Sequence, residues 1–201
     1  MPRYFIEVSY KGTNYAGFQI QKNAVTIQSE VEIALATRFR KDFPLTGSSR
    51  TDKGVHALQN FFHFDSLEYL WRVGQDVAQS LQDKKRLLYS LNSILPNDIV
   101  IKNIFEVPVY WHSRFNAISR QYRYQVYQKK NPFLKDVAYY FPYRLDIEKL
   151  REASDIILKT HDFTTFSKRN TQVNNFICSI SKSNWNIDND LLFYTVIGNR
   201  F

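Results

Sequence analysis

The residue best placed to do chemistry is Asp52, in the segment 45–64, which reads LTGSSRTDKGVHALQNFFHF. Two glycines bracket a polar turn that contains this carboxylate, and the alternation that follows is typical of a strand. Arg50 precedes Asp52 by two residues and Lys53 follows it directly, so the carboxylate lies in a positive field that favours a phosphate-bearing substrate. Aspartates in turns are usually structural, because they bond the backbone two residues on. The glycines and basic neighbours favour a catalytic role for Asp52.

A single carboxylate of this kind supports breakage of a bond between a sugar and a base, by covalent capture or by stabilising an oxocarbenium-like state. Hydrolysis needs a second acid, which protonates the leaving group or activates water. Only one acid is conspicuous here, so the pattern favours an isomerisation that consumes no water. The four histidines and one cysteine lack metal-ligand spacing, and no glycine-rich phosphate loop is present, so we expect neither a metal nor a cofactor.

Tyr122 is the second candidate, within the string SRQYRY at 119–124. Strand alternation places Arg120, Tyr122 and Tyr124 on one face and Arg123 on the other. Aromatic rings beside basic side chains offer stacking surfaces next to phosphate contacts. The alternative is a half-buried strand whose tyrosines lie in the core. The residues alone leave both interpretations open.

Hydrophobic periodicity predicts an α+β fold in which the order β-α-β-β-α-β occurs and then begins again, as in ferredoxin-like domains with antiparallel sheets. In the first half we expect strands at 3–10, 43–48, 55–64 and 98–107, a helix capped by Thr26 and a helix at 84–95. In the second half we expect a strand at 120–128, a helix capped by Asp146 and a hairpin of 176–187 with 191–197. Residues 131–142 are predicted to be a connection.

The predicted division is an N-terminal domain at 1–110, which carries the Asp52 loop, and a C-terminal domain at 111–201, which carries the Tyr122 strand. The second copy of the pattern supplies only β-α-β-β. We therefore expect its closing helix and strand to be missing.

Composition favours a polyanionic partner. Among 201 residues, 27 are Lys or Arg and 19 are Asp or Glu, an excess of 8 positive charges, and aromatic residues make up 16%. A single cysteine excludes an internal disulfide. No apolar run resembles a signal peptide or a membrane span, so we expect a cytoplasmic protein without a membrane partner.

A family resemblance extends along most of the chain. Residues 49–57 (SRTDKGVHA) resemble the Gly-Arg-Thr-Asp-x-Gly-Val-His-Ala segment of the TruA-type tRNA pseudouridine synthases, with Ser49 in place of the usual Gly. Further matches follow the family order at 10–13, 15–19, 92–99, 111–117 and 161–166. Within the first two, Lys11 replaces the usual Asp and Phe18 the usual Trp. Ordered matches of this extent argue against coincidence.

The resemblance implies two ferredoxin-like halves around a central cleft, and conversion of uridine to pseudouridine at positions 38, 39 and 40 of the tRNA anticodon arm. It also implies a homodimer that needs no cofactor. By the same resemblance Asp52 is the catalytic acid, Tyr122 packs against the target uracil, and Arg50 holds the extruded nucleotide and orients the acid. The alternative for Arg50 is a surface ion pair with Asp52, worth at most about 1 kcal/mol.

The C-terminal end is where the sequence departs from the family. Residues 198–201 resemble the start of the last family motif, but nothing here matches the Arg that pairs with the catalytic Asp later in that motif. We therefore expect the chain to be shorter than the architecture it encodes. The alternative function is that of an RNA-binding, catalytically silent truncated paralogue. Two roles for Asp52 also stay open: attack on the sugar carbon, or removal of a sugar proton.

Overall fold

The computed structural model describes residues 1–71, 77–167 and 175–200. The chain forms two compact units, Met1–Asn116 and Ala117–Phe201, each built around a four-stranded sheet. The expected α+β class with two tandem ferredoxin-like halves is confirmed.

The first unit has the complete β-α-β-β-α-β order. Its sheet runs β2-β3-β1-β4 and is antiparallel throughout, which is the ferredoxin-like strand order. The elements are β1 (Arg3–Tyr10), α1 (Ile27–Phe39), β2 (Thr46–Gly47), β3 (Ala57–Asp65), α2 (Val77–Ile94) and β4 (Ile99–Val107).

Alternation along β1 builds the core of this unit. The side chains of Tyr4, Ile6, Val8 and Tyr10 are buried on one face, where they join buried apolar residues of α1 and α2 in a single cluster. Because β1 pairs with β3 on one side and β4 on the other, it has no free edge. The predicted strand at 3–10 is confirmed without change.

The start of α1 is determined by a reciprocal cap, as predicted for Thr26. The Thr26 hydroxyl accepts from the backbone N–H of Ser29 at 3.1 Å, and the Ser29 hydroxyl accepts from the backbone N–H of Thr26 at 2.9 Å. This capping box satisfies two N–H groups that lack partners within the helix.

The second predicted strand is much shorter than expected. Only Thr46–Gly47 pairs with β3, although the pattern predicted 43–48. The backbone of Leu45 is bonded instead by side chains of α1, because its N–H donates to Glu32 Oε1 at 2.9 Å and its carbonyl accepts from Gln28 Nε2 at 2.8 Å. Pro44 has no N–H to give to a ladder. The apolar residues of this segment are therefore buried without strand pairing.

Helix α2 begins at Val77, seven residues before the predicted start. Its buried stripe, with Leu87 and Leu91, lies in the part that the periodicity identified. In the first turns Val77 and Leu81 are exposed, so no apolar stripe marks them. Residues such as Ala, Gln and Leu continue the helix there by intrinsic preference.

The second unit contains β5 (Arg120–Tyr127), β6 (Tyr139–Tyr140), α3 (Ile147–Lys159), β7 (Ile180–Asp188) and β8 (Leu191–Gly198). Its sheet runs β6-β5-β8-β7. Asp146 caps α3 by accepting from Lys149 N at 3.2 Å, as predicted. The predicted hairpin is present, but its loop has two residues rather than three, because β7 continues to Asp188. Asn189 and Asp190 in that loop have φ of 47° and 68°, as a type I′ hairpin requires.

Two predictions for the second unit need correction. The first hairpin strand begins at Ile180, four residues later than expected. The predicted connection at 131–142 contains the short strand β6, which pairs parallel to β5 through Val126 with Tyr139 and Tyr127 with Tyr140.

A buried histidine in the first unit holds the segment that follows β4. His63 of β3 is 5% exposed, and its Nδ1 lies 2.8 Å from the Ser113 hydroxyl and accepts from the Ser113 N–H at 3.4 Å. The same hydroxyl is 3.1 Å from the Thr46 carbonyl, to which it can donate. Since a backbone N–H can only donate, Nδ1 carries no proton. Burial lowers the pKa of His63 to about 4, and the nearby His112 and Arg3 add to this effect.

We expect the stability to fall as the pH drops from about 6.5 to about 4. In this range the unfolded chain binds a proton at His63 whereas the folded protein keeps the ring neutral, and a pKa change from 6.5 to about 4 corresponds to about 3 kcal/mol. The measurement is the free energy of unfolding in urea at several pH values.

In the His63→Asn variant, which replaces the titrating ring by an amide, the slope of stability against pH should become shallower. His161→Asn, at an exposed histidine of the second unit, serves as the control. An identical slope in His63→Asn and the unchanged protein would contradict the assignment.

Candidate functional site

The loop between β2 and β3 carries Arg50 and Asp52 together. Both side chains are exposed, while Thr51 between them is half-buried. Among the described residues, neither Asp52 nor Arg50 forms an ion pair or a side-chain hydrogen bond. The surface ion pair considered as the alternative role of Arg50 is therefore not formed, and both charged side chains are exposed.

A tight turn follows Asp52. The Val55 N–H donates to the Asp52 carbonyl at 3.2 Å, and Gly54 has a φ of +82°, which residues with a side chain rarely adopt. The turn reverses the chain immediately before β3 starts at Ala57. Glycine at position 54 thus has a conformational reason as well as a place in the motif.

The N-terminal segment closes on this turn from one side. A Cβ at Gly12 would lie only 2.1 Å from the Val55 carbonyl oxygen, so the two backbones approach as closely as a glycine allows. The Gly12 N–H also donates to His56 Nδ1 at 2.8 Å. The His56 ring is therefore in the tautomer that carries its proton on Nε2.

Residues 15–19 hold the other side of the loop. The Phe18 N–H donates to the Thr51 carbonyl at 3.0 Å. The Phe18 ring stacks on Phe62 of β3 at 4.4 Å between centroids and 8° between planes. Gly47 lies against this ring, since a Cβ there would be 2.5 Å from Phe18 Cε1. Phe18 thus supports the loop from the position where the family usually has Trp.

Asp98, just before β4, joins the motif at 92–99 to the N-terminal segment 10–19. Its carboxylate accepts from the Tyr15 hydroxyl and, at 3.3 Å, from Asn14 Nδ2, while its carbonyl accepts from the Lys11 N–H at 2.8 Å. Burial, together with this bond to Asp98, raises the pKa of Tyr15. Segments 10–19 and 92–99, which are distant in sequence, are therefore one bonded assembly around the Asp52 loop.

Tyr122 lies on β5 in the second unit, where it is paired with Val196 of β8. Its side chain is half-buried. Tyr124 on the same face is 59% exposed and lies 6.3 Å from its neighbour Tyr194, whereas Arg123 on the opposite face lies over the Phe193 ring at 5.2 Å. The expected alternation is present, with Tyr122 and Tyr124 on one face.

The structure thus brings two of the three predicted site residues into one loop and places the third on a strand of the other unit. In the described part of the chain, no three His, Cys, Asp or Glu residues are grouped so that they could hold a metal ion. The helices within these same residues include none that is long and apolar enough to cross a membrane.

Comparison with known proteins agrees with the motifs. The family model described as tRNA pseudouridine synthase matches residues 6–116. The tRNA pseudouridine synthase A of Parabacteroides distasonis is 39% identical over 201 residues, which are 100% of this chain and 75% of that relative. The enzyme of the same name from Azobacteroides pseudotrichonymphae is 37% identical over 100% of this chain and 76% of its own length. The enzyme of the same name from Bacillus pumilus is 38% identical over 96% of this chain and 75% of its own length. Similarity therefore extends over both units.

The close approach at Gly12 predicts an unequal pair of glycine variants. Gly12→Ala should lower the free energy of unfolding by about 3 kcal/mol, because its Cβ forces a backbone carbonyl to move. Gly54→Ala should cost about 1 kcal/mol, since its Cβ meets nothing within 4 Å and only the positive φ is unfavourable. Urea unfolding of both variants measures the difference. Equal losses would show that the contact between Gly12 and Val55 does not hold the turn.

Proposed function

Because the chain belongs to the family of TruA-type tRNA pseudouridine synthases, which are isomerases, we propose that it converts uridine to pseudouridine at positions 38, 39 and 40 of the tRNA anticodon stem and loop. The observation that carries the proposal is the Asp52 carboxylate, exposed on a turn whose backbone is bonded on both sides. A base that must reach this carboxylate has to leave its stack, as in other enzymes that act on nucleobases.

The reaction needs no water and no redox partner. The bond between N1 of uracil and C1′ of the ribose breaks, the base rotates, and C5 joins C1′. The proton that leaves C5 is balanced by the proton that N1 gains. Asp52 assists the breakage and re-formation of the bond to the sugar, either by attack on C1′ or by removal of a sugar proton. One carboxylate suffices, because no water has to be activated.

Arg50 and Tyr122 have binding roles in this proposal. Arg50 is exposed two residues from Asp52, so its guanidinium can hold the phosphate or sugar of the extruded nucleotide and orient the acid. Tyr122 stacks on the target uracil, a role supported by its half-buried ring on a strand face that it shares with an exposed tyrosine. We also propose a domain boundary at residue 110, with the Asp52 loop in the N-terminal domain and the Tyr122 strand in the C-terminal domain.

The proposal also includes a homodimer in the cytoplasm that binds the anticodon arm of tRNA. The excess of 8 positive charges supports an RNA partner. The family resemblance supports the dimer, and a tRNA substrate supports the location.

The central test is release of tritium from tRNA labelled at C5 of uridine. Asp52→Asn and Asp52→Ala should lower the single-turnover rate by about 10³-fold or more, while the affinity for tRNA stays within about twofold. Asp42→Asn is the matched control, because it removes another exposed carboxylate from the connection between α1 and β2. Turnover that survives in Asp52→Ala would refute the mechanism. Binding without turnover in the unchanged chain would favour the RNA-binding alternative.

Tyr122 is tested by separating its ring from its hydroxyl. Tyr122→Phe keeps the stacking surface and should bind tRNA as tightly as the unchanged chain. Tyr122→Ala should weaken binding by about 5- to 150-fold, which corresponds to a loss of about 1–3 kcal/mol of stacking. Equilibrium binding of a tRNA anticodon arm measures both. Equal affinities for Tyr122→Ala and the unchanged chain would remove the stacking role, and loss of turnover in Tyr122→Phe alone would assign a role to the hydroxyl.

A further inference from the structure

The buried side-chain amide of Asn60 is hydrogen-bonded to several residues around the loop that carries Asp52. Asn60, on β3, is 4% exposed. Its Oδ1 accepts from the Ser48 hydroxyl at 2.7 Å, from the Ser49 hydroxyl at 3.0 Å and from the Phe61 N–H at 2.9 Å. Since the Phe61 N–H can only donate, the amide must point its oxygen to this side and its nitrogen to the other.

The amide nitrogen reaches the loop a second time through Tyr10, the last residue of β1. Asn60 Nδ2 donates to the Tyr10 hydroxyl at 3.1 Å, and this hydroxyl is hydrogen-bonded to Thr51 Oγ1 at 2.8 Å. Tyr10 is only 4% exposed, and its ring packs at 5.7 Å from that of Phe18. The bonds therefore lie in a place that water reaches poorly, where each is stronger than at the surface.

These two sets of hydrogen bonds hold the loop on both sides of Arg50 and directly before Asp52. Ser48 and Ser49 precede Arg50, and Thr51 separates Arg50 from Asp52. The Thr51 side chain is bonded to Tyr10 and its carbonyl to the Phe18 N–H, so the residue next to Asp52 is held at two points. The buried side chains thus fix the backbone from which the two exposed charges project.

We propose that Asn60 and Tyr10 are positioning residues for the isomerisation, which hold the Asp52 carboxylate where the ribose carbon must meet it. This inference rests on the proposed function, because only a reaction at Asp52 gives the placement a consequence. A displacement of about 1 Å can cost on the order of 10²-fold in rate. Ser49, which stands where the family usually has Gly, adds a third bond to Asn60 Oδ1 in this chain.

The test compares two buried tyrosines of the same strand. Tyr10→Phe removes only the hydroxyl between Asn60 and Thr51. Tyr4→Phe removes a hydroxyl that accepts from the Leu70 N–H at 3.3 Å, away from the loop, and Tyr4 is fully buried in the same core. Both variants lose one buried hydroxyl, so a purely structural role predicts the same behaviour for both.

We expect Tyr10→Phe to lower the single-turnover rate of tritium release by about 10- to 100-fold with tRNA affinity within about twofold, and Tyr4→Phe to change neither by more than about twofold. The double variant Tyr10→Phe/Asn60→Ala should be less impaired than the sum of the two single effects, because Asn60 reaches Thr51 through the Tyr10 hydroxyl and the two variants break the same route. Equal rates for Tyr10→Phe and Tyr4→Phe in an active protein would overturn the inference, and so would independent effects in the double variant.

Hydrogen exchange separates this inference from the proposed function. The amides of residues 51–55 should exchange faster in Tyr10→Phe than in Tyr4→Phe, whether or not tRNA is modified. If the unchanged chain releases no tritium, the proposed function is wrong, and faster exchange in Tyr10→Phe still supports the holding of the Asp52 backbone. Equal exchange in the two variants overturns the inference that Tyr10 helps to hold the Asp52 backbone.

Discussion

The pairing of β1 with both β3 and β4 is the interaction on which the rest of the first unit depends. Pairing on both edges satisfies the backbone of β1, and its alternate side chains form the centre of the core. At one end, Arg3 pairs with Asp65 at 2.7 Å and donates to the Trp111 carbonyl at 2.8 Å, which ties down the segment after β4. At the other end, Tyr10 and then Gly12 meet the Asp52 loop. One strand therefore connects the core directly to the candidate site.

Much of the fold could be predicted from the sequence, because local patterns determine it. Alternation in β1 and the caps at Thr26 and Asp146 each act within a few neighbouring residues, and each was found where expected. Two of the errors arose where the deciding partner is remote. Leu45 leaves the sheet because side chains of α1 bond its backbone, and β6 exists because Tyr139 and Tyr140 find an open edge of β5. Periodicity within either segment contains no trace of those partners.

The candidate site likewise contains residues that a local pattern reveals and residues whose role depends on remote partners. Asp52 and Arg50 could be identified from a short string, since the glycines, the charges and the family motif occur together within the eleven residues 47–57. Asn60 could not, although it lies only a few residues further on, because an Asn in a strand has no distinctive spacing. Its meaning comes from Tyr10, 50 residues earlier in the chain, and from two serine hydroxyls. The exposure of Arg50 and Asp52, and the absence of an ion pair between them, also depend on the folded arrangement and are not visible in the sequence.

A loop with a held backbone and exposed charged side chains suits a large, charged substrate. The ordering of residues 47–56 is accomplished when the protein folds, so its entropy does not oppose the binding of RNA. Asp52 and Arg50, which make no ion pair or side-chain hydrogen bond among the described residues, have no such contact to break before they engage a nucleotide. In the proposed mechanism, the exposed Asp52 carboxylate loses its water only when the substrate covers it, at the moment when its charge acts on the sugar. Under the same proposal, the free energy of RNA binding is available for the removal of a base from its stack.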